Sequence, residues 1–168
     1  QFDMVLAGLR RSEKVPTAVV ERAAAWLAER GALFAGDRPV LVHGDAHFNN
    51  VLWHPDHGAT LIDFEVATRL APDRELEAIV DMILYPAEYA ARQEQVTGGD
   101  FAEVIETLRA ACPSMFVQDG GERMRVYFVM RALLQCHHFA PGSERDPRGR
   151  LSGLLDGTFT LPHLPAAS

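Results

Sequence analysis

The sequence predicts an α+β fold that is mostly helical, in which a small β-hairpin cluster carries a polar loop. Apolar residues recur at helical spacing in several separate stretches, and three short apolar runs crowd between residues 40 and 62 with turn residues between them. Although 48% of the 168 residues are hydrophobic, no apolar run approaches the roughly 20 residues that span a bilayer. The length suits one domain, or one lobe of a larger one.

The elements follow in order. Phe2, Met4, Val5, Leu6 and Leu9 suit the end of a helix, which Lys14-Val15-Pro16-Thr17 then breaks. Pro16 or Thr17 can start the next helix, from Ala18 to Leu33, with Val19, Val20, Ala23, Ala24, Trp26, Leu27 and Ala28 at helical spacing and Gly31 closing it. Gly36-Asp37-Arg38-Pro39 turns into Val40–Val42, which reads as a short buried strand. Val51–Trp53 and Thr60–Ile62 read as two further strands, joined by the turn Pro55-Asp56-His57-Gly58. Val66 to Pro72 reads as loop. Leu76, Ile79, Val80, Ile83 and Leu84 mark a helix from Glu75 to Tyr85, with Asp73 placed as its N-cap. Thr97 to Asp100 is a loop whose Asp100 caps a helix running to Ala111. Gly120 and Gly121 precede the longest helical pattern, Glu122 to Phe139, apolar on more than one face and therefore central; Pro141 ends it. After a charged loop, Leu151 to Leu155 form a last helical turn, and the chain frays from Leu161 onward.

The first strand delivers His43, Asp45, His47 and Asn50 into a loop, and the hairpin carries Asp63 back beside Asn50. Two acids and an amide converge although they are distant in sequence. Phosphoryl transfer uses such a set: a carboxylate to orient or deprotonate the acceptor hydroxyl, and oxygen ligands for a magnesium ion that offsets phosphate charge. Asp45 and Asn50 have the five-residue spacing of a kinase catalytic loop, and Asp63-Phe64 follows after a strand pair.

His43-Gly44-Asp45, His47, Asn50 and Ile62-Asp63-Phe64-Glu65 resemble the aminoglycoside phosphotransferase and choline kinase group, whose pattern is H-G-D-x-H-x-x-N followed by an apolar strand and I-D-F-E. Ala46 and Asn49 depart from that pattern, where leucine and glycine are usual, and Glu75 stands in place of an aspartate in Pro72-Asp73-Arg74-Glu75-Leu76. The resemblance implies transfer of a phosphoryl group from ATP or GTP, with Mg²⁺, to a hydroxyl of a small molecule: an aminoglycoside-like compound, an amino alcohol or a sugar. It implies Asp45 as base, His47 at the transferred phosphate or orienting the loop, and Asn50 and Asp63 as metal and nucleotide ligands. His43, Glu65 and Glu75 are supporting residues. His43 packs beneath the loop, Glu75 accepts backbone N–H groups from it, and Glu65 stands near the metal or in solvent. It further implies that residues 1–168 are the C-terminal lobe of a protein-kinase-like fold. The nucleotide-binding lobe is expected upstream of Gln1, because no G-x-G-x-x-G pattern and no strand-borne lysine is present.

Two other classes compete. His43, Asp45, His47 and Asp63 could instead serve a metal-dependent hydrolase, and a lobe without its partner could act as a non-catalytic, pseudokinase-like module. The net charge of −7 argues against nucleic acid as a partner and is compatible with a cationic substrate. Cys112 and Cys136 lack CxxC spacing and are expected reduced and buried, as in a cytoplasmic protein. Trp26 and Trp53 read as packing residues, His54 and His57 as exposed turn residues, and His137-His138 as one buried and one exposed.

Overall fold

The computed structural model describes residues 2–12, 14–89, 97–101, 103–143 and 145–161. They divide into two compact units, one from residues 1–35 and 121–161 and one from residues 36–120.

The first unit is helical. Helix α1 (Phe2–Ser12) buries Leu6 and Leu9, and α2 (Thr17–Ala28) buries Val20, Ala23 and Leu27. Spacings of three and four residues put each set on one helical face. Pro16 stands at the N-cap of α2, where its missing N–H is not needed, and its carbonyl accepts the N–H groups of Val19 and Val20. Helix α2 ends at Ala28, short of the expected Leu33, and Gly31–Phe34 wind into a 3-10 turn. Arg30 explains the stop: its guanidinium lies 3.8 Å from the Trp26 ring centre and donates to the Trp26 carbonyl, satisfying a terminal acceptor.

Helix α6 (Gly120–His138) starts inside its glycine pair, because first-turn N–H groups lack intrahelical partners and glycine is tolerated there. Its buried residues run round the circumference, from Met124 through Val126, Phe128, Val129 and Leu133 to Cys136. Arg123 is buried too, donating to the Leu33 carbonyl with its guanidinium 4.3 Å from the Phe34 ring centre. Helix α7 (Arg148–Asp156) is longer than the single turn expected, buries Leu151 and Leu154, and ends on Gly157 in the left-handed region. His138 is exposed and His137 half-buried.

The second unit holds four described strands and the helices α3 (Leu76–Leu84), α4 (Pro86–Tyr89) and α5 (Val104–Ala111). Strand β2 (Val51–His54) pairs antiparallel with β3 (Gly58–Leu61), in register Val51↔Leu61 and Trp53↔Ala59. Strand β1 (Val40–Val42) pairs antiparallel with β4 (Thr68–Leu70), a strand within the stretch read as loop. Three residues are too few for a periodicity to register; the partner strand makes β4. Only Val42 of β1 is buried, with Val40 43% and Leu41 68% exposed, so the expectation of a buried strand fails. Trp53 is likewise 73% exposed rather than packed, because both sheets are two-stranded ribbons with little to cover them.

Helix caps differ from expectation at two places. Pro72–Glu75 form a 3-10 turn before α3, so that Asp73, 2% exposed, lies inside that turn and Glu75 takes the N-cap position. Asp100 accepts the Thr97 N–H and hydroxyl within its own 3-10 turn (Gly98–Phe101), and α5 begins later without a side-chain cap. These bonds favour the charged form and hold the Asp100 carboxyl below its ordinary range. Both cysteines are free thiols; Cys136 is buried, but Cys112 is exposed at the end of α5. The fraying expected after Leu161 concerns residues outside the described set.

Candidate active site

The site is a backbone loop tied at both ends. After buried Val42, His43 is only 4% exposed and both its ring nitrogens face protein atoms. Nδ1 accepts the Asp45 N–H at 3.3 Å, which leaves Nε2 protonated to donate to the Ile62 carbonyl at 2.7 Å. The ring also meets Phe64 edge-on at 4.6 Å. His43 thus links the start of the loop to the end of the β2–β3 ribbon.

Glu75 holds the same turn from the other side. One carboxylate oxygen accepts the His43 N–H and the other accepts the Gly44 N–H at 3.0 Å. Gly44 has φ +82°, and a Cβ there would lie 3.3 Å from the Val66 carbonyl oxygen, so conformation and space both require glycine.

Asp45, Asn50 and His47 form one polar cluster. Asn50, 8% exposed, donates from Nδ2 to the Asp45 carbonyl at 2.9 Å and to its carboxylate at 3.3 Å. His47 brings Nε2 within 3.3 Å of the same carboxylate oxygen. The Asp45 side chain remains 40% exposed, so it is oriented by the protein yet open to solvent. The buried Nδ1 of His47 has no hydrogen-bond partner among the described residues.

Asp63 arrives through the ribbon. The Ile62 N–H donates to the Asn50 carbonyl at 2.9 Å, extending the Val51↔Leu61 register by one step and setting Asp63 next along. Its φ of +64° is the one positive value among described non-glycine residues. Aspartate tolerates the left-handed region better than most residues, and such conformations concentrate at functional sites. Glu65 is exposed in the bend beyond and makes no hydrogen bond among the described residues.

The donor chemistry suits a hard divalent cation. Because Nδ2 of Asn50 is committed to Asp45, Oδ1 is the amide atom that can face a metal, and Asp63 adds an exposed carboxylate. A zinc-hydrolase arrangement fits less well. Both nitrogens of His43 are engaged by protein, and no group of three His, Cys, Asp or Glu among the described residues could hold a metal. The surroundings are strongly acidic: residues 36–120 contain five arginines against fifteen Asp and Glu, a net of −10.

Sequence reasoning passed over Tyr89. Asn49 donates from Nδ2 to the Tyr89 carbonyl at 3.0 Å, and the His47 ring meets the Tyr89 ring at 5.0 Å. The departure from glycine at Asn49 was the available signal, but its partner lies forty residues on.

The chain matches the phosphotransferase enzyme family over residues 5–104, more than half its length, and belongs to that family. The match takes in the whole of the loop and the ribbon. No solved structure gives a significant match. Among the described residues no helix is long and apolar enough to cross a membrane.

Proposed function

We propose that this chain is the catalytic and substrate-binding lobe of a small-molecule kinase, transferring the γ-phosphoryl group of ATP or GTP to a hydroxyl of a small acceptor. The observation that carries this reading is the Asp45–Asn50 bond, made beside a ribbon in which the Ile62 N–H, one residue before Asp63, donates to the Asn50 carbonyl. Asp45, held by Asn50 and His47 but still exposed, positions the acceptor hydroxyl and takes its proton as transfer proceeds. Asn50 Oδ1 and the Asp63 carboxylate would hold magnesium, which when bound supplies positive charge to the phosphates. Those phosphates would otherwise meet a unit of net charge −10.

The protein-kinase-like fold and an upstream nucleotide-binding lobe belong to the same proposal. Their support is the apolar surface beside the site, where Leu52, Trp53, Leu61 and Phe64 are each more than two-fifths exposed. An apolar ribbon next to a polar loop offers a floor for a nucleotide base and a seat for a second lobe.

Substitution tests the reading. Asp45→Asn in the full-length protein should lower turnover by about 10²- to 10⁴-fold, the usual scale for a positioned base, with nucleotide affinity unchanged. Asp63→Ala should abolish magnesium-dependent nucleotide binding in a titration calorimeter. Undiminished turnover in Asp45→Asn would sink the assignment.

A further inference from the structure

Three consecutive residues of the catalytic loop, His47, Phe48 and Asn49, each reach one of two later residues of the second unit, Tyr89 or Phe101. The His47 ring meets Tyr89 edge-on at 5.0 Å and 63°. The half-exposed Phe48 ring lies 5.6 Å from Phe101. The Asn49 amide donates to the Tyr89 carbonyl at 3.0 Å. From this convergence we infer that Tyr89 and Phe101 are positioning residues, a clamp that sets the loop and, through His47, the orientation of Asp45.

Both ends of the clamp are anchored in α3. The Tyr89 hydroxyl donates to Asp81 Oδ2 at 2.6 Å, and Asp81 is 2% exposed on that helix. A short bond from a phenol to a buried carboxylate fixes the ring where an apolar contact alone would let it turn. At the other end, Gly98 packs so tightly on α3 that an added Cβ would stand 2.8 Å from the Ile83 carbonyl oxygen. That contact, with the Asp100–Thr97 bonds, seats the turn that presents Phe101. The loop tip is therefore registered against a rigid helix rather than left to its own backbone.

The consequence lies at Asp45. His47 carries one nitrogen to the Asp45 carboxylate, and its other nitrogen is buried without a partner among the described residues, so hydrogen bonding by that second nitrogen does not hold the ring in place. Edge-on packing against Tyr89 supplies the missing restraint. Removing it should let His47 rotate and loosen the base, without touching the nucleotide ligands Asn50 and Asp63.

This inference rests on the phosphotransfer reading for its kinetic arm only. The structural arm compares amide hydrogen exchange in this chain, as wild type, Tyr89→Phe, Tyr89→Leu and Gly98→Ala. Exchange at residues 46–49 should rise about tenfold or more in Tyr89→Leu and Gly98→Ala, and less in Tyr89→Phe, while residues 51–54 and 126–133 keep their protection. In the full-length protein with magnesium–ATP, Tyr89→Leu should lower kcat by about 10- to 100-fold, the usual scale for partners that orient a catalytic group, with the KM for ATP within about twofold. Unchanged exchange at 46–49, or a rise spread evenly over residues 36–120, would overturn the clamp. A fall in kcat matched by an equal rise in KM would do the same. If Asp45→Asn keeps full turnover, the phosphotransfer reading falls instead, and the exchange data still decide the clamp.

Discussion

The two units of this chain differ in how many polar groups they bury and how many large apolar ones they expose. In the helical unit, Val20, Ala23, Phe128, Val129, Leu133 and Leu154 are fully buried, and eleven basic residues face eight acidic ones. In the second unit His43, Asn50, Asp73, Glu77 and Asp81 are buried, while Leu41, Phe48, Leu52, Trp53, Phe64 and Val66 are half exposed or more. Polar groups inside and apolar groups outside are costly in a unit that only has to be stable. The excess falls in the unit that carries the candidate site, and it coincides with the net charge of −10.

That contrast can be broken by substitution. The largest effect belongs to the helical unit: Phe128→Ala should destabilise by about 3–5 kcal/mol, because a large side chain at 0% exposure leaves a cavity. Urea unfolding followed by labelling of Cys136 would read this directly. Burial holds that thiol inert and raises its pKa, so it reacts only when the unit opens. A loss below about 1 kcal/mol would mean that the helical core is not the close-packed one described.

A smaller effect is expected from Glu75→Ala, which leaves the His43 and Gly44 N–H groups without their carboxylate. It should cost about 1–3 kcal/mol and release the loop, seen as lost exchange protection at residues 43 and 44. Stability unchanged and protection intact would show that water serves those donors equally well.

Smaller still is a pH dependence in the helical unit. Asp146 accepts the Gly142 N–H at 2.7 Å and the Arg148 guanidinium at 2.7 Å, which hold its carboxyl below the ordinary range. The unfolded chain then binds more protons near pH 4, so this contribution is present above the unfolded pKa of about 3.9. It is lost as pH falls through the lower folded value. Asp146→Asn should flatten the acid side of the stability curve, and an unaltered curve would remove the assignment. The smallest effect is Trp53→Ser, expected within about 0.5 kcal/mol because the ring is 73% exposed. A loss above about 1.5 kcal/mol would mean that the ribbon is covered after all.

How much of this was legible in the sequence differs between the same two units. The helices of the first could be read from periodicity to within a few residues, except where Arg30 cut α2 short and α7 began at Arg148, three residues before the expected Leu151. In the second unit the ribbon and its turn could be read because β2 and β3 are near neighbours in sequence. The β1–β4 pairing spans some thirty residues and could not. Likewise the glutamate at position 75 was visible as a departure from an aspartate, whereas Tyr89, Asp81 and Phe101 carry no local pattern that separates them from ordinary helix and loop residues.

By itself, then, the order of residues determined the local frame: Asp45 and Asn50 are held five apart in one loop, and a hairpin of near-neighbour strands brings Ile62, the residue before Asp63, onto the Asn50 carbonyl. Only the tertiary structure decided what surrounds those groups. It left Leu41 and Trp53 in solvent, gave β1 its partner, and closed Tyr89 and Phe101 onto the loop. The physical reason is range. Spacing and periodicity act through a few bonds of backbone, while burial and packing depend on whichever distant segments the rest of the chain delivers.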